Sequence, residues 1–161
     1  MKILVISDTH RQDDLFLRVM EKEAPVDMIL HAGDAEGSED EFSRIAGMPL
    51  FYVAGNCDRN SMAPRTMVVP IGNQKAFLTH GHYYQVGFTT ELLEKEARSR
   101  HCRLAIFGHT HVPLIQEGKD GMLILNPGSL GHPRQAGYRP SYMLLYTDEE
   151  GNIQEPVLKY L

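Results

Sequence analysis

Seven side chains of metal-binding type stand just beyond apolar runs. Asp8 and His10 follow Ile3–Ile6, Asp34 follows Met28–Leu30, and Asn56 follows Leu50–Val53. His80 follows a run ending at Leu78 and Thr79, and His109 and His111 follow one ending at Phe107. Imidazole and carboxylate together suit Mn, Fe, Zn, Ni or Co. One Asp can offer its two oxygens to two ions. Such a pair, roughly 3.5–4 Å apart, activates one water and holds both the entering and leaving oxygens of an in-line displacement. A neutral Asn carbonyl completes a site without adding charge. Two divalent ions set against Asp8, Asp34 and a hydroxide leave about +1 by formal charge, which draws in a phosphate anion. Asp-x-His, Gly-Asp or a lone His is a weak signal by itself; the ordered set, with Gly33, Gly55, Gly81 and Gly108 beside it to allow tight turns, is specific.

The elements needed to position these residues are legible in the apolar pattern. Ile3–Ile6, Met28–Leu30 and Leu50–Val53 read as buried strands. A helix is predicted over Asp13–Glu23, with Leu15, Phe16, Val19 and Met20 at helical spacing, and a second from Ser38 through Ile45, where Ser38 and Glu41 form a capping-box pattern. Strand alternating with helix implies right-handed crossovers and a parallel sheet, and ligands in such sheets bind beyond the carboxyl ends of the strands. Thr66–Val69 and Lys75–Leu78 flank Gly72-Asn73 and suit a hairpin. Thr89 or Thr90 is expected to cap a helix reaching about Arg100. Arg103–Phe107, Leu114–Gln116, Leu123–Leu125, Tyr142–Tyr146 and Ile153–Leu158 follow as strands, so the second half is expected to be mainly antiparallel. The expectation is one α/β domain over residues 1–161, with two packed sheets and helices outside.

Composition narrows the classes. An apolar share of 42% and a charged share of 23% over 161 residues are those of a globular domain and exclude a disordered or coiled-coil chain. A net charge of −5 gives no strong nucleic-acid signal. Cys57 and Cys102 are too few for a disulfide framework, and no apolar stretch approaches a membrane span. A cytoplasmic setting, without membrane attachment, is expected. The Phe and Tyr residues near the site suit a homodimer.

Asp8-Thr9-His10, Gly33-Asp34, Gly55-Asn56-Cys57-Asp58, His80-Gly81-His82 and Gly108-His109-Thr110-His111, in that order, resemble the calcineurin-like metallophosphoesterase superfamily, and the Gly-Asn-Cys-Asp form looks like its small bacterial and archaeal phosphodiesterase branch. The resemblance implies a four-layer αββα sandwich of two packed mixed sheets flanked by helices, and hydrolysis of a small phosphodiester by a hydroxide bridging two divalent ions, Mn first, with Ni, Fe, Zn or Co also suited. One ion would take Asp8, His10, Asp34 and His111, the other Asp34, Asn56, His80 and His109, with Asp34 shared. Asp34, Asn56, Cys57 and Asp58 would form the catalytic set. Many members carry His where this chain has Cys57, and that His is thought to protonate the leaving oxygen. A thiol is a weaker donor. Asp58, which would steady that His, is left either a similar task or only the shaping of its turn. His82 is read equally as orienting a ligand or as a loop residue. Asn126–Gly131 is read as a turn or an anion-binding nest. His132 and Arg134 are candidates for touching phosphate, and Tyr83, Tyr84 and Phe88 for lining a pocket. The alternatives are a phosphomonoesterase of the same fold, or a protein-binding scaffold like the superfamily's retromer subunit.

Overall fold

The computed structural model describes residues 1–161. Strands β1 (Lys2–Ile6), β2 (Met28–His31) and β3 (Leu50–Tyr52) lie parallel, and β9 (Ser141–Tyr146) and β10 (Val157–Tyr160) add antiparallel strands beyond β1, giving the order β10-β9-β1-β2-β3. The second sheet runs β4-β5-β6-β8-β7, from β4 (Thr66–Ile71), β5 (Gln74–Thr79), β6 (Leu104–Ile106), β7 (Leu114–Glu117) and β8 (Leu123–Asn126).

Alternation along the strands makes the layers. Ile3 and Val5 join Leu78, Leu104 and Ile106 in an apolar layer between the sheets. Leu4 and Ile6 point the other way, onto Phe16 of helix α1 (Asp13–Glu23) and Phe42 of helix α2 (Glu39–Ala46). Phe77 and Ala105 cover Leu93 and Ala97 of helix α3 (Glu91–Ser99). The αββα arrangement thus follows from a period of two on strands that are buried on both faces. No helix is long and apolar enough to cross a membrane.

The second sheet is mixed, as expected for the fold: β5 with β6 and β6 with β8 pair parallel, because α3 carries the chain back between β5 and β6, while β4 with β5 and β7 with β8 pair antiparallel as hairpins. Three expectations change. The strand expected over Ile153–Leu158 is broken. Ile153 makes one bridge to Thr147, and β10 begins only after Pro156, which has no N–H to give a ladder. The capping box does not form: Ser38 Oγ donates to Asp13 Oδ2 at 3.0 Å, so a tertiary contact takes the hydroxyl. Thr90 likewise spends its hydroxyl on Glu94 Oε1.

One buried charge ties the first sheet together. Glu23, 3% exposed at the end of α1, accepts from Tyr142 Oη (2.7 Å), Lys159 Nζ (3.0 Å) and Lys2 Nζ (3.1 Å). Burial alone would raise its pKa; the Tyr142, Lys159 and Lys2 bonds outweigh burial and hold it low. A depressed carboxyl stabilises the fold above its unfolded pKa of about 4.3, and that contribution fades as pH falls through the folded value. Glu23→Gln is therefore expected to cost about 1–3 kcal/mol near pH 7. The cost should shrink as pH falls below about 4.3, read by urea denaturation of both proteins at each pH. A cost independent of pH would contradict the ion-pair account.

Candidate metal centre

Register brings the loops together. Ile6 sits opposite His31, and His31 opposite Tyr52, so the loops after β1, β2 and β3 leave side by side. Leu78 sits opposite Ile106, and Ile106 opposite Leu125, which does the same for the loops after β5, β6 and β8. Cross-sheet bonds close the two sets on one another: His80 Nδ1 donates to Ala32 O (2.7 Å), the His109 amide to Asp8 Oδ2 (3.0 Å), and the Gly131 amide to Asp8 O (2.9 Å). At two points the approach leaves no room for a methyl. A Cβ on Gly55 would stand 2.0 Å from Asp34 Oδ1, and one on Gly108 would stand 1.9 Å from Ser7 Oγ.

Five of the expected ligands hold a left-handed backbone: Asp8, His10, Asp34, His109 and His111 have φ between 45° and 67°. Non-glycine residues adopt this region at a cost of order 1 kcal/mol or more each, and it gathers at functional sites. Nothing in the sequence marks these angles, apart from a preference of Asp, Asn and His for tolerating them.

The side chains form two groups of facing electron pairs. In the first, His111 Nε2 lies 3.0 Å and His10 Nε2 3.8 Å from Asp8 Oδ1, and the two nitrogens are 3.3 Å apart. In the second, His80 Nε2 faces Asn56 Oδ1 (3.1 Å), Asp34 Oδ2 (3.3 Å) and Asp8 Oδ1 (3.9 Å). The ligand atoms of Asp8, His10 and His111 all lie within 4.8 Å of one another, as do those of Asp8, Asp34 and His80. Asp34, expected at the shared position, falls with the second group, and the oxygen common to both is Asp8 Oδ1. The His109 ring stands beside that of His80, 5.2 Å between centroids, outside both groups.

Outer hydrogen bonds set the tautomers. The outward nitrogens are those that face acceptors: His80 Nδ1 the Ala32 carbonyl, His111 Nδ1 the His132 carbonyl (2.6 Å), and His10 Nδ1 the Glu36 carboxylate (2.6 Å). Each Nε2 is then a lone pair aimed inward. Asp8 Oδ1 is fully buried and receives no hydrogen bond of good geometry. Lone pairs and carboxylate oxygens facing each other at these distances repel unless a cation lies among them, so these residues fit divalent ions. Burial opposes charge on His80, yet Asp34 and Asp8 raise its pKa. Burial likewise opposes charge on Asp8 and Asp34, but His111 and His80 hold Asp8 low, and His80 with the Cys57 amide holds Asp34 low.

The neighbouring residues take plain structural parts. Asp58 accepts three amides, from Asp34 and Gly55 on Oδ2 and from Glu36 on Oδ1, each at 2.7 Å, and so shapes the turns rather than steadying residue 57. Cys57 is exposed; desolvation and the nearby Asp34, Glu36 and Asp58 push its thiol up to about 12. His82 makes no hydrogen bond to a candidate ligand; it packs on Tyr83, ring centroids 4.1 Å apart, and burial with His80 and His109 nearby lowers its pKa to about 4. In the Asn126–Gly131 loop three amides are spent within the protein, Gly128 on Asn126 Oδ1, Leu130 on Ser7 O and Gly131 on Asp8 O, which favours a turn over an anion nest. His132 and Arg134 are exposed at the rim. Tyr84 packs edge-on against Phe77 of the core, while Tyr83 and Phe88 are exposed. Sequence reasoning passed over Glu36, and also His31, which is buried, neutral with a pKa lowered to about 4 chiefly by burial, and accepts the Gly33 amide. A cleft of about 340 Å³ opens beside Cys57, lined by Glu36, Glu39, Asp58 and Arg59 among others.

Comparison with known proteins agrees with this geometry. Residues 1–150 match the model of the calcineurin-like phosphoesterase superfamily domain. The chain is 38% identical over 161 residues to the "Probable metallophosphoesterase" of Methanothermobacter thermautotrophicus, covering 93% of this chain and 88% of that one. It is 27% identical over 146 residues to Phosphodiesterase MJ0936 of Methanocaldococcus jannaschii, covering 80% and 83%. Among solved structures, wild-type Vps29 complexed with Zn²⁺ from Entamoeba histolytica superposes with a TM-score of 0.78 at 26% identity, covering 98% of this chain and 99% of that one.

Proposed function

The chain belongs to the calcineurin-like phosphoesterase superfamily, and on that premise we propose that it is a phosphodiesterase dependent on two divalent metal ions. The observation that carries the reading is the convergence of three imidazole lone pairs, from His10, His80 and His111, on the unbonded, buried Asp8 Oδ1. Asp8, His10 and His111 would hold one ion; Asp34, Asn56 and His80 would hold the other, with His109 at its edge. When bound, the ions supply positive charge to the phosphate oxygens and make a water acidic enough to attack phosphorus in line. Mn²⁺ is our first choice, since carboxylate, amide oxygen and imidazole together suit it.

The chain's own residues orient and restrict. Outward Nδ1–H bonds leave each imidazole one way to face, and the bond from the Cys57 amide to Asp34 Oδ1 (2.8 Å) fixes the loop of residues 55–58 against the centre. Cys57 stays a thiol at neutral pH, so it is neither a nucleophile nor a strong acid. The cleft beside it carries Glu36, Glu39 and Asp58 against Arg59 alone, which disfavours a dianionic monoester relative to a singly charged diester. The relationship to a chain named as a phosphodiesterase supports the same choice.

The test compares one leaving group in two substrates, bis(p-nitrophenyl) phosphate and p-nitrophenyl phosphate, with the Mn²⁺-loaded protein. We expect kcat/KM at least about tenfold higher for the diester, a difference of about 1.4 kcal/mol in barrier. Preference for the monoester would make the chain a phosphomonoesterase. A metal-loaded protein inert to both would favour a protein-binding role on this fold.

A further inference from the structure

We propose that Glu36 is a positioning residue that sets the metal affinity of the centre through His10. The inference rests on the metal-dependent reading above and adds a residue to it. His10 Nδ1 and Glu36 Oε1 are 2.6 Å apart, the length of a charge-assisted hydrogen bond. The contact lies at the open edge of the centre, with side-chain exposures of 10% for His10 and 34% for Glu36. It is also built. Glu36 holds a left-handed backbone at φ 58°, and its amide donates to Asp58 Oδ1 at 2.7 Å. The same Asp58 carboxylate takes the amides of Asp34 and Gly55 on its other oxygen, so one residue places Glu36, Asp34 and the turn that carries Asn56.

His10 differs in this from the other two imidazoles. His80 and His111 give their outer N–H to neutral carbonyls, of Ala32 and His132. A carboxylate draws more strongly on the Nδ1 proton, which makes Nε2 a better electron donor and fixes the ring plane. Nε2 of His10 is the more distant of the two nitrogens in its group, 3.8 Å from Asp8 Oδ1 against 3.0 Å for His111, and is the one most in need of orientation. The ligand atoms of His10, Glu36 and Cys57 also fall within 4.8 Å of one another, but they do not make a further metal site. A separation of 2.6 Å with the proton on Nδ1 is a hydrogen bond, and Nε2 already faces Asp8 and His111.

The experiment titrates Mn²⁺ into the apo protein and follows the free ion by its EPR signal, in the natural chain, Glu36→Ala, Glu36→Gln, His10→Ala and the double variant His10→Ala/Glu36→Ala. Expected is a loss of affinity of about 10–100-fold in Glu36→Ala, a smaller loss in Glu36→Gln, which keeps an acceptor but not the charge, and no further loss when Glu36→Ala is added to His10→Ala. Apo melting temperatures should stay together. Affinity unchanged in Glu36→Ala, or an equal loss with and without His10, overturns the proposal while the metal centre stands. Absence of Mn²⁺ binding by the natural chain overturns the metal-dependent reading itself, and this inference with it. If Glu36→Ala does not fold, Glu36→Gln decides: weakened binding supports the proposal and unchanged binding overturns it.

Discussion

Asp34→Asn is expected to lower kcat/KM for bis(p-nitrophenyl) phosphate by about 10³-fold, since a metal centre supplies several kcal/mol of charge stabilisation and each 1.36 kcal/mol is tenfold. The substitution should leave the fold intact, for a reason visible in the contacts of Asp34. Asp34 Oδ1 accepts the Cys57 amide and Oδ2 faces His80 Nε2 at 3.3 Å. An Asn can keep the first bond through its oxygen and donate from its NH₂ to the lone pair on His80 Nε2. The amide then does what a cation does in the natural chain, and the site loses its demand for one. Mn²⁺ should accordingly raise the melting temperature of the natural protein, as any ligand of the folded state does, and raise that of Asp34→Asn by less, through Asp8, His10 and His111 alone. EDTA should bring both proteins to a similar melting temperature, and added Mn²⁺ should restore the larger increment only in the natural protein. A variant that keeps bound metal, measured by mass spectrometry, and keeps its turnover would remove Asp34 from the centre.

Much of this centre was legible because it depends on where strands end. Period-two burial puts β1, β2, β3, β5 and β6 in the interior, and the polar residues that follow them have nowhere to go but the same rim. What escaped reading depends on geometry finer than residue order. Leu104–Ile106 and Leu123–Asn126 are short, wholly apolar and buried on both faces apart from the closing Asn, so their pattern is the same whether they pair parallel or antiparallel. Ser38 looked like a helix cap, and it lost its hydroxyl to Asp13, 25 residues away. Glu36 reads as one more surface acid after Gly33-Asp34; only the fold brings it to His10. Which carboxylate oxygen faces which imidazole is likewise a matter of tenths of an ångström: Asp8 Oδ1 faces His10, His80 and His111, and Asp34 Oδ2 faces His80.

Cys57→His tests the one departure from the superfamily pattern, and its effect should depend on the substrate. Residue 57 is exposed and lines the cleft, with its amide on Asp34 Oδ1 and its sulfur 3.3 Å from Asn56 Nδ2, which places it beside the candidate ligands. An aryl oxide leaves as a stable anion and needs little protonation. An alkoxide is a strong base, and its departure gains typically 10²–10⁴-fold from a positioned acid whose pKa lies near the working pH. A thiol raised by the neighbouring carboxylates is far from that range, whereas an imidazole starts at about 6.5. The variant is therefore expected to hydrolyse alkyl phosphodiesters about 10²-fold faster than the natural chain while changing bis(p-nitrophenyl) phosphate turnover by less than about threefold. Plotting log kcat against leaving-group pKa should give a steep negative slope for the natural protein and a shallower one for Cys57→His. Parallel lines would show that position 57 does not deliver the proton, and would move the search for an acid to His132, whose ring lies 4.7 Å from that of His10.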